Sequence, residues 1–150
     1  MTLRLLRVLA LLLLLAAPAT ALRAQGGGEP RLEGFVARVA RLWEAQDADA
    51  LATLAPSGGR MVLEVGGEGA GPVPERHAAA ALRSLFTDRQ TVSIRPVRVT
   101  MAGGQPPQGF GELAWLSRSR GVSAARTSTV YVGVVWEGGE WRIRELRVLP

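Results

Sequence analysis

GFGELAWLSRSRGVSAARTSTVYVGVVWEGGEWRIRELRVL, residues 109–149, is the stretch whose reading decides the fold. Apolar residues recur at alternate positions through 109–118, 125–136 and 140–149, the period of strands with one face toward a core. Between the last two runs, Glu137-Gly138-Gly139-Glu140 reads as a tight hairpin turn. The three runs therefore predict an antiparallel meander. In its middle strand Val130, Val132, Val134 and Trp136 share one face, and Thr127, Thr129, Tyr131, Gly133 and Val135 share the other. Both faces are mild enough to be covered.

Two phase changes predict that the sheet is bent. Trp141 and Ile143 switch to Leu146 and Val148 across Arg144-Glu145. In an earlier strand, 90–101, Val92 and Ile94 keep the same face as Val97, Val99 and Met101 only if one residue is skipped near Arg95-Pro96. Each skip reads as a β-bulge. A sheet bulged on two strands curves and leaves a concavity for helices to fill.

The helices lie upstream. Leu32, Phe35, Val36, Val39, Leu42 and Trp43 form one helical stripe, from residue 31 to about 46. Asp47 or Asp49 can cap a short helix through Ala50, Leu51 and Leu54. A second long helix over 75–87 has Ala78, Ala79, Leu82, Leu85 and Phe86 as its stripe. Between them 60–65 reads as a strand, with Met61, Leu63 and Val65 on one face. Residues 66–74 hold four glycines and two prolines and read as a loop without regular structure.

The N-terminus reads as an export leader. Arg4 and Arg7 precede a leucine-rich run, then Pro18 and the small residues of Ala19-Thr20-Ala21. The expected organisation is a signal peptide over 1–21 cut after Ala21, a glycine-rich linker over 22–30 and one domain over 31–150. The protein is then periplasmic or secreted, with no stable membrane insertion after cleavage, because the apolar run is short for a span.

Composition narrows the chemistry. All 18 basic residues are arginine, and the formal charge is +5. Without the leader's two arginines it falls to about +3, a weak bias for a chain of this size. The arginines alternate with acids along the helices and the last strand, which argues against a nucleic-acid surface. Cysteine is absent. Thiol catalysis, thiolate metal sites and lipidation at cysteine are thereby excluded. His77 is the single histidine, and it falls off the buried stripe of its helix. No metal site and no cofactor is expected.

Three segments carry a family resemblance. The first is the opening helix with Phe35 and Trp43 leading into Asp47-Ala48-Asp49-Ala50-Leu51. The second is Leu82-Arg83-Ser84-Leu85-Phe86. The third is the closing Gly139-Glu140-Trp141-Arg142-Ile143-Arg144-Glu145-Leu146-Arg147-Val148. In this order they resemble the nuclear transport factor 2-like superfamily. Phe110-Gly111-Glu112-Leu113 with the closing Glu-Leu-Arg-Val is similar to an exported bacterial branch of unknown function. The resemblance implies an α+β, cystatin-like or cone-shaped fold: a strongly bent antiparallel sheet of about five strands, with two or three N-terminal helices packed on its concave face.

That superfamily includes isomerases, dehydratases, carriers and interaction domains, so the fold does not select a function. In its ketosteroid isomerase an acid at the end of the first strand moves the proton, and the resemblance places Glu64 nearest that position. The isomerase's tyrosine has no counterpart in the first helix, because the single tyrosine here is Tyr131. Without that donor an oxyanion lacks its stabilising partner.

The expected function is a non-enzymatic binding or interaction domain. It holds a small apolar ligand in the cone, with Trp43, Trp115 and Tyr131 as candidate ligand-binding residues, and pairs as a homodimer through the sheet. Two alternatives stand beside it: a small isomerase or hydrolase using Glu64 or Asp88 as its acid or base, and a structural accessory of an envelope assembly. Edman sequencing of the exported protein should return Leu22 as the first residue, whereas Met1 would mark an uncleaved anchor.

Overall fold

The computed structural model describes residues 31–67 and 69–150. The expected signal peptide and linker lie outside the described residues. Helix α1, Leu32–Glu44, buries Leu32, Phe35, Val36, Val39 and Trp43 of the expected stripe, while Leu42 is only half-buried at its edge and Ala40 takes a buried place. It ends two residues sooner than its periodicity suggests, because Gln46 takes a left-handed backbone at φ 55° and turns the chain. Asp47 then caps α2, Ala48–Ala52, accepting a hydrogen bond from the Ala50 N–H at 3.0 Å. Asp49, the other candidate cap, instead pairs with Arg83 at 2.6 Å.

Strand β1, Arg60–Glu64, is followed by β2, Gly71–Pro74, and the two pair antiparallel from Arg60 opposite Pro74 to Leu63 opposite Gly71. The reading of 66–74 as wholly irregular is thus corrected. Proline is excluded from a strand only where its missing N–H faces a partner. Here the Glu75 N–H bonds Gly59 O at 2.8 Å, so the alternate residues Pro72 and Pro74 turn their nitrogens outward from a sheet edge.

Helix α3, Glu75–Asp88, buries Ala78, Ala79, Leu82, Leu85 and Phe86 as its sequence predicts, then runs without a loop into β3, Arg89–Gly103. The meander is β4, Gln108–Ser119, β5, Ala125–Glu137, and β6, Glu140–Leu149. The β5–β6 turn falls at the expected glycines, and Gly138 and Gly139 both take positive φ there. The sheet has six strands in the order β2-β1-β6-β5-β4-β3, with β1 parallel to β6 and every other pair antiparallel. The sixth is β2, and the fold is the expected α+β arrangement of helices on one face of a curved sheet. Among the described residues no helix is long and apolar enough to cross a membrane.

The bulges set the curvature. On β6 the register skips Arg144 opposite Gly133 and Val134, so that Trp141, Ile143 and Leu146 all reach the core. On β3 the skipped residue is Val97, between Pro96 and Arg98, one step beyond the expected site. Two further skips fall at Val92 and Ala102. Val92 and Val97, read from sequence as inward-facing, are instead the unpaired residues and are 47% and 60% exposed. Their apolarity misled because β3 is an edge strand, where a bulged residue points to solvent whatever its type. The face shared by Ile94, Val99 and Met101 survives, because each skip restores the phase.

Helix α1 lies directly on β4. A Cβ on Gly111 would sit 2.8 Å from both Cγ atoms of Val36, and one on Gly109 would sit 2.5 Å from Cδ2 of Leu32. These glycines face the helix because Leu113 and Trp115, of the same parity, also face it. Gly111→Ala should lower stability in urea by about 1–3 kcal/mol through overpacking. Gly34→Ala, on the exposed side of α1 with open space around it, should hold or raise stability by up to about 1 kcal/mol. Equal responses from the two variants would show that the helix does not rest on the glycines.

Candidate functional site

The throat of the cone is built by three aromatic residues from three elements. The last turn of α1 delivers Trp43, the last turn of α3 delivers Phe86 and the middle of β4 delivers Trp115. Trp43 meets Phe86 edge-on at 5.1 Å between ring centroids and Trp115 at 5.2 Å. Edge-to-face contact is the arrangement that aromatic quadrupoles favour. Trp43 and Trp115 are both fully buried, and Trp43 Nε1 has no hydrogen-bond partner. The Trp115 Nε1–H donates to Thr91 Oγ1 at 3.0 Å.

Arg89 closes the throat from outside. It is the first residue of β3, placed there because α3 passes straight into the strand. Its guanidinium carbon lies 4.2 Å from the centroid of the Trp115 ring. Nε donates to Ser117 Oγ at 3.0 Å, and Nη2 donates to Ser117 Oγ at 2.6 Å and to Ser128 Oγ at 2.9 Å. Gln46 Nε2 donates to the Arg89 carbonyl at 3.3 Å, tying the turn after α1 to the same point. Both serines are buried, at 1% and 7% exposure. Burial, and after it the like charge of Arg126, pushes the Arg89 guanidinium below its ordinary value. Its hydrogen-bonding partners are neutral, and among the described residues no carboxylate pairs with it.

Outside Arg89 a cleft of about 430 Å³ opens at the end of the sheet, bordered by Glu64, Arg126, Ser128, Val148 and Leu149 besides Arg89 itself. A second cleft, of about 470 Å³, lies beside it against Gln46, Phe86, Gln90 and Arg118. Arg89, Arg118, Arg120 and Arg126 together make this end of the molecule basic.

The sequence candidates fall in three different places. Trp43 and Trp115 are the throat, with Trp115 one layer beneath Arg89. Glu64 ends β1 with its side chain on the side away from Met61 and Leu63, at the rim of the cleft, and pairs with Arg147 at 3.6 Å. Arg147 also pairs with Glu145. Tyr131 is on the back of the sheet, stacked on Phe110 at 5.6 Å, and borders a shallow depression with Glu145, Arg147 and Leu149. His77 is exposed on α3.

Sequence reasoning did not single out Arg89, Ser117, Ser128 or Arg126. One signal was present: Ser117 follows Leu113 and Trp115 in phase, and Ser128 precedes Val130 and Val132 in phase, so two hydroxyls fall at core-facing positions. Polar residues at such positions call for a buried partner. That the partner is Arg89 could not be read locally, since it lies 28 residues from one serine and 39 from the other.

No family model matches the chain, and no curated protein matches it. Solved structures do. A DUF4783 family protein from Bacteroides ovatus is 13% identical, with a TM-score of 0.59 over 81% of this chain and 96% of the other. A hypothetical protein of ketosteroid isomerase-like fold from Catenulispora acidiphila, solved in complex with trimethylamine, is 14% identical, with a TM-score of 0.60 over 81% and 86%. The chain has the nuclear transport factor 2-like fold. A putative scytalone dehydratase from Novosphingobium aromaticivorans shares it at 10% identity, with a TM-score of 0.61 over 77% and 78%. The resemblance read from the helices and the closing strand therefore holds at the level of fold, which the DUF4783 protein shares.

The serine–arginine lock is testable by a double-mutant cycle. Ser117→Ala should cost about 1–3 kcal/mol in urea when Arg89 is present and close to nothing in an Arg89→Met background. The same cost in both backgrounds would mean that the serine is held by something other than Arg89.

Proposed function

We propose that the chain is an exported, non-enzymatic binding domain that holds a small, largely apolar molecule at the mouth of its cone and pairs through the back of its sheet. The observation that carries the reading is the filled throat. Trp43, Trp115 and Phe86 occupy the depth where a buried reaction site would need room, and Arg89 lies across the top. Binding then belongs to the cleft outside Arg89, whose volume of about 430 Å³ is in the range of small-molecule sites. Trp115 contributes from below by fixing Arg89.

The enzyme alternative has less support. Its base, Glu64, is engaged by Arg147 at the rim rather than facing the throat. The Catenulispora complex with trimethylamine supports small-molecule binding on this fold. A cation of that kind would meet like charge from Arg89 and Arg126 here. Export rests on the leader sequence. Pairing rests on the back face, where the Phe110–Tyr131 stack, Ala114, Leu116 and Val135 are only half-buried in one copy.

Native mass spectrometry of the full chain recovered from its own cells tests both parts. The expected spectrum is a dimer carrying added small-molecule mass, and Tyr131→Arg should give a monomer that still carries it. A bare chain at every concentration would remove the binding reading, and a monomer at tens of micromolar would remove the pairing.

A further inference from the structure

Resting on that binding reading, we infer that the mouth cleft is an anion site: it takes the carboxylate of a small organic acid between Arg89 and Arg126, with the acid's hydrocarbon body against Val148 and Leu149.

A guanidinium has five N–H groups. In Arg89 the Nε and Nη2 groups are directed at Ser117 and Ser128, while Nη1 donates to no group among the described residues. Nor is Nη1 sealed in protein, since the buried side-chain atoms without a partner are Trp43 Nε1 and Arg147 Nε. Arg89 borders the cleft, so its free donors have the cleft to face.

Serine hydroxyls satisfy N–H geometry and leave the positive charge uncompensated. Among the described residues neither Arg89 nor Arg126 has an ion-pair partner. Arg126 is close enough to disfavour the charged form of Arg89, so the two cations act on the same space. A carboxylate placed there gains charge-assisted hydrogen bonds. Glu64, the one described acid on the cleft wall, is held by Arg147. Its remaining field opposes a second negative charge, which favours a monoanion over a dianion such as phosphate.

The Arg89 fork is preorganised. Stacking on Trp115 and two serine bonds fix the Arg89 fork in advance, so little side-chain freedom is lost on binding. Val148, half-buried on the core side of β6, and Leu149, on the other side at the strand's end, both border the cleft and give an acyl or aryl body apolar contact beside the charge.

The test titrates octanoate, neutral 1-octanol and inorganic phosphate into the full chain, read by tryptophan fluorescence and by the Arg89 Nε–H resonance in NMR. Octanoate should bind and shift that resonance, with 1-octanol and phosphate each weaker by about tenfold or more. Arg126→Gln, at an exposed position, should weaken octanoate by about tenfold. Arg89→Gln should abolish octanoate binding, and Arg118→Gln in the neighbouring cleft should leave it unchanged. Equal binding of octanol and octanoate, or no effect of Arg126→Gln, overturns the anion assignment and leaves the binding-domain reading standing. Binding of neither also overturns it, and the native mass measurement then decides the broader reading independently. If Arg89→Gln fails to fold, the Arg126→Gln and octanol arms still decide.

Discussion

Helix α1 can lie flat on the sheet only because β4 presents no side chain at Gly109 and Gly111. Side chains at those positions would overlap Leu32 and Val36, and the helix would have to lift. Farther along the same helix that lift would separate Trp43 from Trp115, now 5.2 Å apart. The aromatic throat, the position of Arg89 above it and the shape of the mouth thus all follow from a close approach between backbone and helix. Dense interiors transmit such displacements rather than absorbing them.

Curvature supplies the complementary half of the cone. The skip at Arg144 on β6 and those at Val92, Val97 and Ala102 on β3 bend the sheet around the helices. They also divide the two strands' roles. On β6 the bulge preserves burial of Trp141, Ile143 and Leu146, whereas on the edge strand β3 the extra residues go to solvent and blunt an open edge. The opposite edge is blunted by Pro72 and Pro74, which offer no donor to a further strand.

Arg89 is where scaffold and site meet. A guanidinium held by hydroxyls rather than by a carboxylate is a costly feature for packing alone, because burial penalises a charge that nothing neutralises. It also leaves part of the donor set and the whole charge turned toward an open cleft. One fold can carry very different activities, so this local arrangement says more about function than the fold does.

Much of the architecture was legible in the sequence, because it is written in local periodicity. The stripes of α1 and α3, the glycine turn before β6 and the phase change at Arg144 each depend on residues within a few positions of one another. The strand β2 was hidden because its prolines are admissible only at an edge, and being at an edge is a property of the assembled sheet. The choice of Val97 as the skipped residue on β3 was hidden for a related reason, since either side of Pro96 restores the phase equally well. The site was the least legible. Ser117 and Ser128 stood at core-facing positions, yet only tertiary structure brings Arg89 to them and lays it on Trp115. That meeting depends on the approach of α1 to the glycines of β4 and on the direct passage of α3 into β3, which are contacts between distant segments that no local pattern encodes.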